Sequence, residues 1–509
     1  MGAEAISNKR LVKNTFILYI RMAVVLLISL YTSRLVLKAL GISDFGLFGV
    51  IGGVIGLFAF LQSSLSKATQ RFVNVEMVKE DGHLKEVFRT SWTVHLIIVI
   101  FILLLVETIG LWFLNAKINI PEGREFAANI LFQVTVLSLC LSVLQTPLSA
   151  CVIAHEDMSF FAVISIIEAF LKLGIAFVII NSESDRLILY GILLLGISFF
   201  NILAYFSYCR RKYIEISVRP YYNKEMFMKV SNFVGWTLVG QVAIVLCTQG
   251  TSVLINMFHS VIANAALNVG NQVSNAVTNL TSNFQMAFTP QITKSYAEGK
   301  YLELKKLVFT TSKISFFLLF VVSLPICLNI NFILEIWLEE VPIHSGIFCV
   351  LLIVNNIINA LSAPLNFSIL ATGRIKWFQI VTSVFYLVDI LIVYVLFKIG
   401  LSPATALWVK VGVMFLILLV RLFYAHREIS EIKIISYIRE VIAPLTIVAL
   451  ICSVVGMLAS YYFNTIIIRI VLTICIFIFS VILFWIVALD NNQRTSIVNL
   501  IKTKYVRKK

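Results

Sequence analysis

Seven carboxamides recur through residues 264–283: Asn264, Asn268, Asn271, Gln272, Asn275, Asn279 and Asn283. Spacings of three and four put them on one face of a helix. A carboxamide both donates and accepts hydrogen bonds, so such a face suits hydroxyl-rich partners or a water-filled cavity. The bland alternative is an interhelical seam, each contact worth about 0.6 kcal/mol. The stripe is longer than a seam needs, which favours cavity lining.

Charged residues form a second set, because each lies inside a long apolar run: Arg21, Arg34, Lys172, Lys410, Glu107, Glu168 and Asp389. A charge at mid-helix in lipid costs roughly 2.5–3.5 kcal/mol, so these groups are expected to face a cavity or a partner. Arg21 and Arg34 sit near run ends, where snorkelling to the interface and substrate contact are both open. Lys410 is near mid-run and cannot snorkel easily. Lys172 follows Glu168 by four residues, the spacing of a self-neutralising helical pair. It also aligns with Asp389 at an offset of 217 residues, so a pair across two repeats is the alternative. Glu107, Glu168 and Asp389 are candidates for coupling to H+ or Na+.

Other chemistries find no residues. The glycines of Gly46–Gly56 lie in an apolar run with no following Lys-Ser/Thr, so no ATP site is expected, and Gly49, Gly52, Gly53 and Gly56 read as a close-packing face. The six histidines lack metal spacing and the eight cysteines form no Cys-x-x-Cys pair. No cofactor, metal or catalytic residue is expected, and the chain does not read as an enzyme.

These groups must be positioned by membrane helices. Of the 509 residues, 60% are hydrophobic and only 13% charged, well outside the soluble globular class. A bilayer core needs about 20 apolar residues in helical form. That ruler gives about fourteen spans: 15–40, 45–66, 90–114, 126–154, 159–180, 186–208, 230–257, 262–289, 308–333, 344–371, 375–397, 402–424, 441–463 and 466–489. Runs such as Val94–Leu105 lack the alternation of a barrel strand. The first run is too long for a signal-peptide core and reads as a retained helix. The expected fold class is therefore an all-α, multi-pass integral membrane protein.

The loops on the N-terminal side of the spans hold 31 of the 41 Lys and Arg, against six on the other side. Under the positive-inside rule both termini are cytoplasmic. The net charge of +15 thus sets topology and meets anionic lipid heads, and nucleic acid is not an expected partner.

The two halves resemble each other. Thr32-Ser33 matches Thr251-Ser252 at an offset of 219, His83-Leu84-Lys85-Glu86 matches Glu303-Leu304-Lys305-Lys306 at 220, and Pro147-Leu148…Ala154 matches Pro364-Leu365…Ala371 at 217. Six spans lie between equivalent points, so the repeats are parallel, with a pseudo-two-fold axis along the membrane normal. The expected organisation is a six-helix repeat over 1–212, a second over 213–430, and two extra helices with a basic cytoplasmic tail over 431–509. Duplication of this kind points to alternating access, with substrate between the halves.

Residues Asn14-Thr15-Phe16 leading into a long span, then Leu40-Gly41-Ile42-Ser43-Asp44-Phe45-Gly46-Leu47-Phe48, resemble the polysaccharide-transporter branch of the multidrug/oligosaccharidyl-lipid/polysaccharide exporters. Pro147-Leu148…Ala154 and Pro364-Leu365…Ala371-Thr372-Gly373 look like the ends of the fourth and tenth helices of that family. The resemblance implies a flippase moving a lipid-linked oligosaccharide, on undecaprenyl pyrophosphate, across a bacterial cytoplasmic (inner) membrane. The products would be O-antigen or capsule units, and the partners the lipid-linked substrate, membrane lipids and other polysaccharide-assembly membrane proteins. Such a substrate would meet Arg21, Arg34, Lys172, Lys410 and the carboxamide face. The rival within the superfamily is a cation-coupled multidrug or small-molecule exporter. A polysaccharide polymerase or ligase is the rival outside it, set back by short external loops.

Overall fold

In the computed structural model every element among the described residues is helical, because an apolar chain in lipid must satisfy each backbone group internally. The structure describes residues 2–56, 59–79, 82–117, 120, 123–259, 261–338, 341–462, 466–488 and 494. Large apolar side chains such as Leu27, Phe101, Leu104, Leu391 and Trp408 stand more than half exposed on these helices, a distribution that suits lipid and not water.

Two units are separable, Val12–Leu238 and Met1–Leu11 with Val239–Lys509, called the first and second units below. The first holds most of α1 (Gly2–Gly56), then α2 (Ala59–Glu76), α3 (Leu84–Leu105), α4 (Leu111–Lys117), α5 (Glu125–Ala154), α6 (Met158–Ile180) and α7 (Arg186–Lys212). The boundary falls within α8 (Lys224–Phe258). The second unit continues with α9 (Val261–Ala297), α10 (Tyr301–Leu328), α11 (Ile330–Trp337), α12 (Ser345–Thr372), α13 (Lys376–Lys398), α14 (Ala404–Glu428), α15 (Ile434–Tyr437), α16 (Ala443–Tyr462) and α17 (Ile466–Val487).

Helix α5 is the hub of the first unit, packing on α2, α3, α6 and α7, and α12 is the hub of the second, between α9, α10 and α14. Each hub carries an internal proline, Pro147 and Pro364. Proline removes one ladder donor and weakens the helix there. Helix α1 breaks at Gly41, whose φ of 77° belongs to glycine. Near that break Arg186 Nη1 donates to the Ala39 carbonyl at 3.1 Å. Arg124 then joins Asp44, just past the break, to Asp185, the N-cap of α7.

Among the described residues eleven helices are long and apolar enough to cross a membrane, not the fourteen expected. Three expected spans fall away for identifiable reasons. The 45–66 run crosses the end of α1, residues 57–58 outside the described set, and the polar start of α2. The 262–289 run is α9, which is 37 residues long but too rich in carboxamides to count as apolar. Of 466–489, only Thr473–Val487 counts as an apolar helix, and it is short.

Candidate functional site

In the first unit, Arg21, Glu168 and Lys172 come together around α6. Arg21 Nη1 donates to Ser165 Oγ at 3.4 Å, and its guanidinium lies over the Phe161 ring, 4.9 Å from the centroid. One turn along α6, Glu168 Oε1 accepts from Lys172 Nζ at 2.6 Å and Oε2 from Asn201 Nδ2, on α7, at 3.0 Å. The spacing i, i+4 delivers the Lys172–Glu168 pair locally, so each residue of this pair has its partner within the first unit. Tyr205, one turn beyond Asn201, is buried and packs edge-on against the Phe160 ring of α6.

Arg34 stands apart. It is exposed on α1, thirteen residues after Arg21 or about 20 Å along the axis, and makes no hydrogen bond or ion pair. Glu107 is separate again, on a π-helical turn over Val106–Gly110, where Gln133 Nε2 donates to it at 3.0 Å. A π-turn inside a membrane helix is a common mark of a functional position.

The second unit holds the other candidates. Asp389 on α13 is buried, with Oδ2 accepting from Cys247 Sγ at 2.8 Å and Oδ1 without a partner. Lys410 lies on α14, which packs against α13. The carboxamide stripe divides. Asn268, Gln272, Asn275 and Asn279 are exposed on one face of α9 and none has a side-chain hydrogen bond. Asn271 is half-buried. Asn264 instead accepts from Ser252 at 2.7 Å, and Asn283 is buried and donates to the Asn279 carbonyl at 2.8 Å. The seam between α9 and α12 is made by a residue the sequence did not single out: Asn356 donates to Ser274 at 2.7 Å and Thr278 at 2.8 Å.

Sequence reasoning also missed Arg421 and Cys247. Arg421 lies inside the expected 402–424 span yet is counted there with the cytoplasmic loop charges; the structure buries it on α14, donating to Asn359 Oδ1 at 2.8 Å and Ser362 Oγ at 2.6 Å. Its position eleven residues after Lys410, three turns along one face, is the signal that could have found it.

Outside the spans, two tethers lie beyond the end of α5. Asp157 accepts from Tyr208 and Tyr213 hydroxyls, each at 2.8 Å, and from Lys212. Burial opposes its ionisation, but these donors outweigh it and hold the carboxyl below its ordinary range. His155 Nε2 meets Glu215 Oε1 at 2.6 Å, its ring stacked on Tyr213 at 4.0 Å. A cavity of about 460 Å3 opens where α2, α3 and α8 begin or end, lined by Arg71, Glu76, Lys79, His83, Glu225 and Lys229. Among the described residues no group of three or more His, Cys, Asp or Glu is placed to hold a metal.

No family model matches the sequence, and no curated protein matches it. Solved structures do resemble it in fold. An outward-facing multidrug resistance MATE family transporter of the MOP superfamily superposes with a TM-score of 0.73 at 15% identity, covering 84% of this chain and 97% of its own. A MOP superfamily transporter from Pyrococcus furiosus, described as having a binding pocket of reverse polarity that suggests a different function, gives 0.71 at 15% identity with the same coverage. MATE in its bent conformation gives 0.70 at 14% identity, again with the same coverage. The likeness is one of fold, and it gives no specific support to the polysaccharide branch. The chain is a multi-pass helical membrane protein with a MATE-like fold.

Proposed function

We propose that this protein is a cation-coupled exporter that carries an organic molecule across the membrane by alternating access. The observation that carries the reading is the fold likeness to MATE transporters over most of the chain. It favours a small-molecule exporter over the lipid-linked oligosaccharide flippase. Since a fold is shared by many cargoes, the cargo is argued from residues.

The exposed carboxamides Asn268, Gln272, Asn275 and Asn279 support a water-filled or cargo-lined space, because unbonded polar groups facing hydrocarbon are costly. Asp389 is our coupling group: it is buried, has an unsatisfied oxygen, and sits on α13, which packs on the helix that carries Lys410. The nearby ammonium disfavours a second fixed cation, so the coupling ion is a proton. Glu107 and Glu168 already accept from Gln133, Asn201 and Lys172 and are secondary candidates.

A second reading is flipping of a lipid-linked oligosaccharide at a bacterial inner membrane, with both termini cytoplasmic. The intramembrane cations Arg21, Lys410 and Arg421 and, separately, the exposed carboxamides of α9 favour it, since that cargo is anionic at the pyrophosphate and hydroxyl-rich in the sugar.

Cells lacking the protein separate the readings. Retention of a labelled cationic dye, with normal display of lipid-linked sugars, establishes the small-molecule exporter. Accumulation of lipid-linked oligosaccharide on the cytoplasmic leaflet, with dye efflux intact, establishes the flippase. Neither change would overturn export altogether.

A further inference from the structure

The cavity of about 460 Å3 in the first unit has no part in the transport reading, and its lining has a chemistry of its own. It opens where α2 ends and where α3 and α8 begin. Helices α3 and α8 are long and apolar enough to cross a membrane, so their ends lie near the depth of lipid headgroups. This is the face that carries most of the Lys and Arg, which the positive-inside rule sets in the cytoplasm.

On that basic face the cavity is an exception, because its fixed charges balance. Arg71, Lys79 and Lys229 line it together with Glu76, Glu86 and Glu225. Phe72, Val75 and Met226 supply an apolar part of the lining. A space of this volume with apolar walls and a few polar groups has the character of a small-ligand site.

Part of this lining is structural. Glu76 is buried and closes the turn between α2 and α3, accepting from Lys79 Nζ at 2.5 Å and from the His83 backbone N–H at 3.2 Å. The Arg71 guanidinium lies over the rings of Phe72 and Phe233, 4.9 and 5.3 Å from their centroids, which sets it beside the first turns of α8. The remaining charges are held loosely. Glu225 and Lys229 form an exposed pair one turn apart on α8 at 2.6 Å, and such pairs contribute little to stability and exchange partners readily. Glu86 faces the His83 ring at 3.9 Å, a contact that is an ion pair only when the imidazole is protonated.

We propose that this cavity binds the head of a zwitterionic inner-leaflet phospholipid, a phosphodiester with a primary ammonium a few bonds away, as in phosphatidylethanolamine. The phosphate meets Arg71 and Lys229, the ammonium meets Glu86 and Glu225, and the glycerol end meets Phe72, Val75 and Met226. A head with negative charge alone would face three carboxylates, and one with positive charge alone would face three cations. A head that carries both signs satisfies both sets. A primary ammonium also donates three hydrogen bonds, which a choline head cannot. Occupied in this way, the cavity ties the start of α8 to the turn between α2 and α3. The lipid is a resident ligand of the first unit and not cargo, so the proposal stands whichever molecule the protein carries.

The test follows the thermal unfolding midpoint of the full chain in phosphatidylcholine vesicles as phosphatidylethanolamine or phosphatidylglycerol replaces part of the lipid. The midpoint rises and saturates with phosphatidylethanolamine and not with phosphatidylglycerol. In Glu86→Gln and in Lys229→Gln the half-saturating fraction increases roughly tenfold, the loss of one charge-assisted contact, while the midpoint in pure phosphatidylcholine is kept. Both side chains are exposed, and either variant decides the matter should the other fail to fold. Absence of a wild-type response, or an unchanged response in a folded variant, overturns the site. An equal response to both lipids overturns the zwitterion. O-phosphoethanolamine, which carries the head without the chains, assigns the source. A variant-sensitive response to it in pure phosphatidylcholine moves the site to a soluble ligand and overturns the lipid, whereas no response supports it.

Discussion

The Cys247 thiol donates to Asp389 Oδ2 at 2.8 Å, across 142 residues of sequence, and leaves Oδ1 of the same buried carboxyl without a partner. A weak donor on one oxygen and an unsatisfied second oxygen leave this buried carboxyl a place for a proton. Asp389→Asn keeps the shape and removes the titration. It is expected to abolish proton-driven transport in vesicles while leaving membrane insertion intact. Cys247→Ser, which keeps a donor, should retain transport within a few-fold. Wild-type proton dependence in Asp389→Asn would remove it as the coupling group.

The Glu168–Lys172 pair predicts a different separation. Its side chains are 33% and 45% exposed, so the ion pair contributes at most about 1 kcal/mol to stability. Lys172→Ala is expected to leave the unfolding midpoint nearly unchanged, with Asn201 still holding Glu168. A fall in transport without a fall in stability would place Lys172 on the cargo path; unchanged transport would leave it a helical pair.

On α9, exposure separates the carboxamides into two kinds. Asn275→Leu changes an exposed face without a hydrogen-bond partner, and it is expected to reduce transport with little loss of stability. Asn356→Leu instead removes the donor shared by Ser274 and Thr278. It should lower stability by about 1–3 kcal/mol through their lost partners, read as a shifted midpoint. If the two variants behave alike, cavity lining by α9 is wrong.

Arg124 bridges Asp44 and Asp185, joining the segment after the Gly41 break to the start of α7. Arg124→Ala leaves two carboxylates close together without their shared cation. Accessibility of a cysteine placed at Phe45 to a water-soluble thiol reagent is expected to increase several-fold, since charged hydrogen bonds of this kind are each worth roughly 1.5–3 kcal/mol. An unchanged labelling rate would show that the break is held by Arg186 alone.

Acid should loosen the end of α5. Asp157 and Glu215 both have folded-state pKa values held below their ordinary ones, burial notwithstanding: Asp157 by Lys212, Tyr208 and Tyr213, Glu215 by His155. A depressed carboxyl binds its proton more readily in the unfolded state, so it adds stability above the ordinary carboxyl range, and this is lost as pH falls through the folded values. Hydrogen exchange over residues 155–157 and 213–215 should accelerate below about pH 4. In Asp157→Asn the Asp157 part of that acid step should vanish.

Much of this architecture is local and was legible before any coordinates. A run of apolar residues must coil into a helix in lipid because the backbone can satisfy itself nowhere else, so eleven of the fourteen expected spans stand as helices of the right length and hydropathy. The Glu168–Lys172 pair was equally legible, since one helical turn brings the two side chains together. The stripe on α9 was readable as a face, but not the division between its exposed and bonded members. That division depends on what packs beside each residue, as does the approach of Cys247 to Asp389 and of Asn359 and Ser362 to Arg421. Helical periodicity fixes which side chains share a face. Only the packing of one helix on another decides which of them meet a partner, and which buried carboxyl keeps an unbonded oxygen.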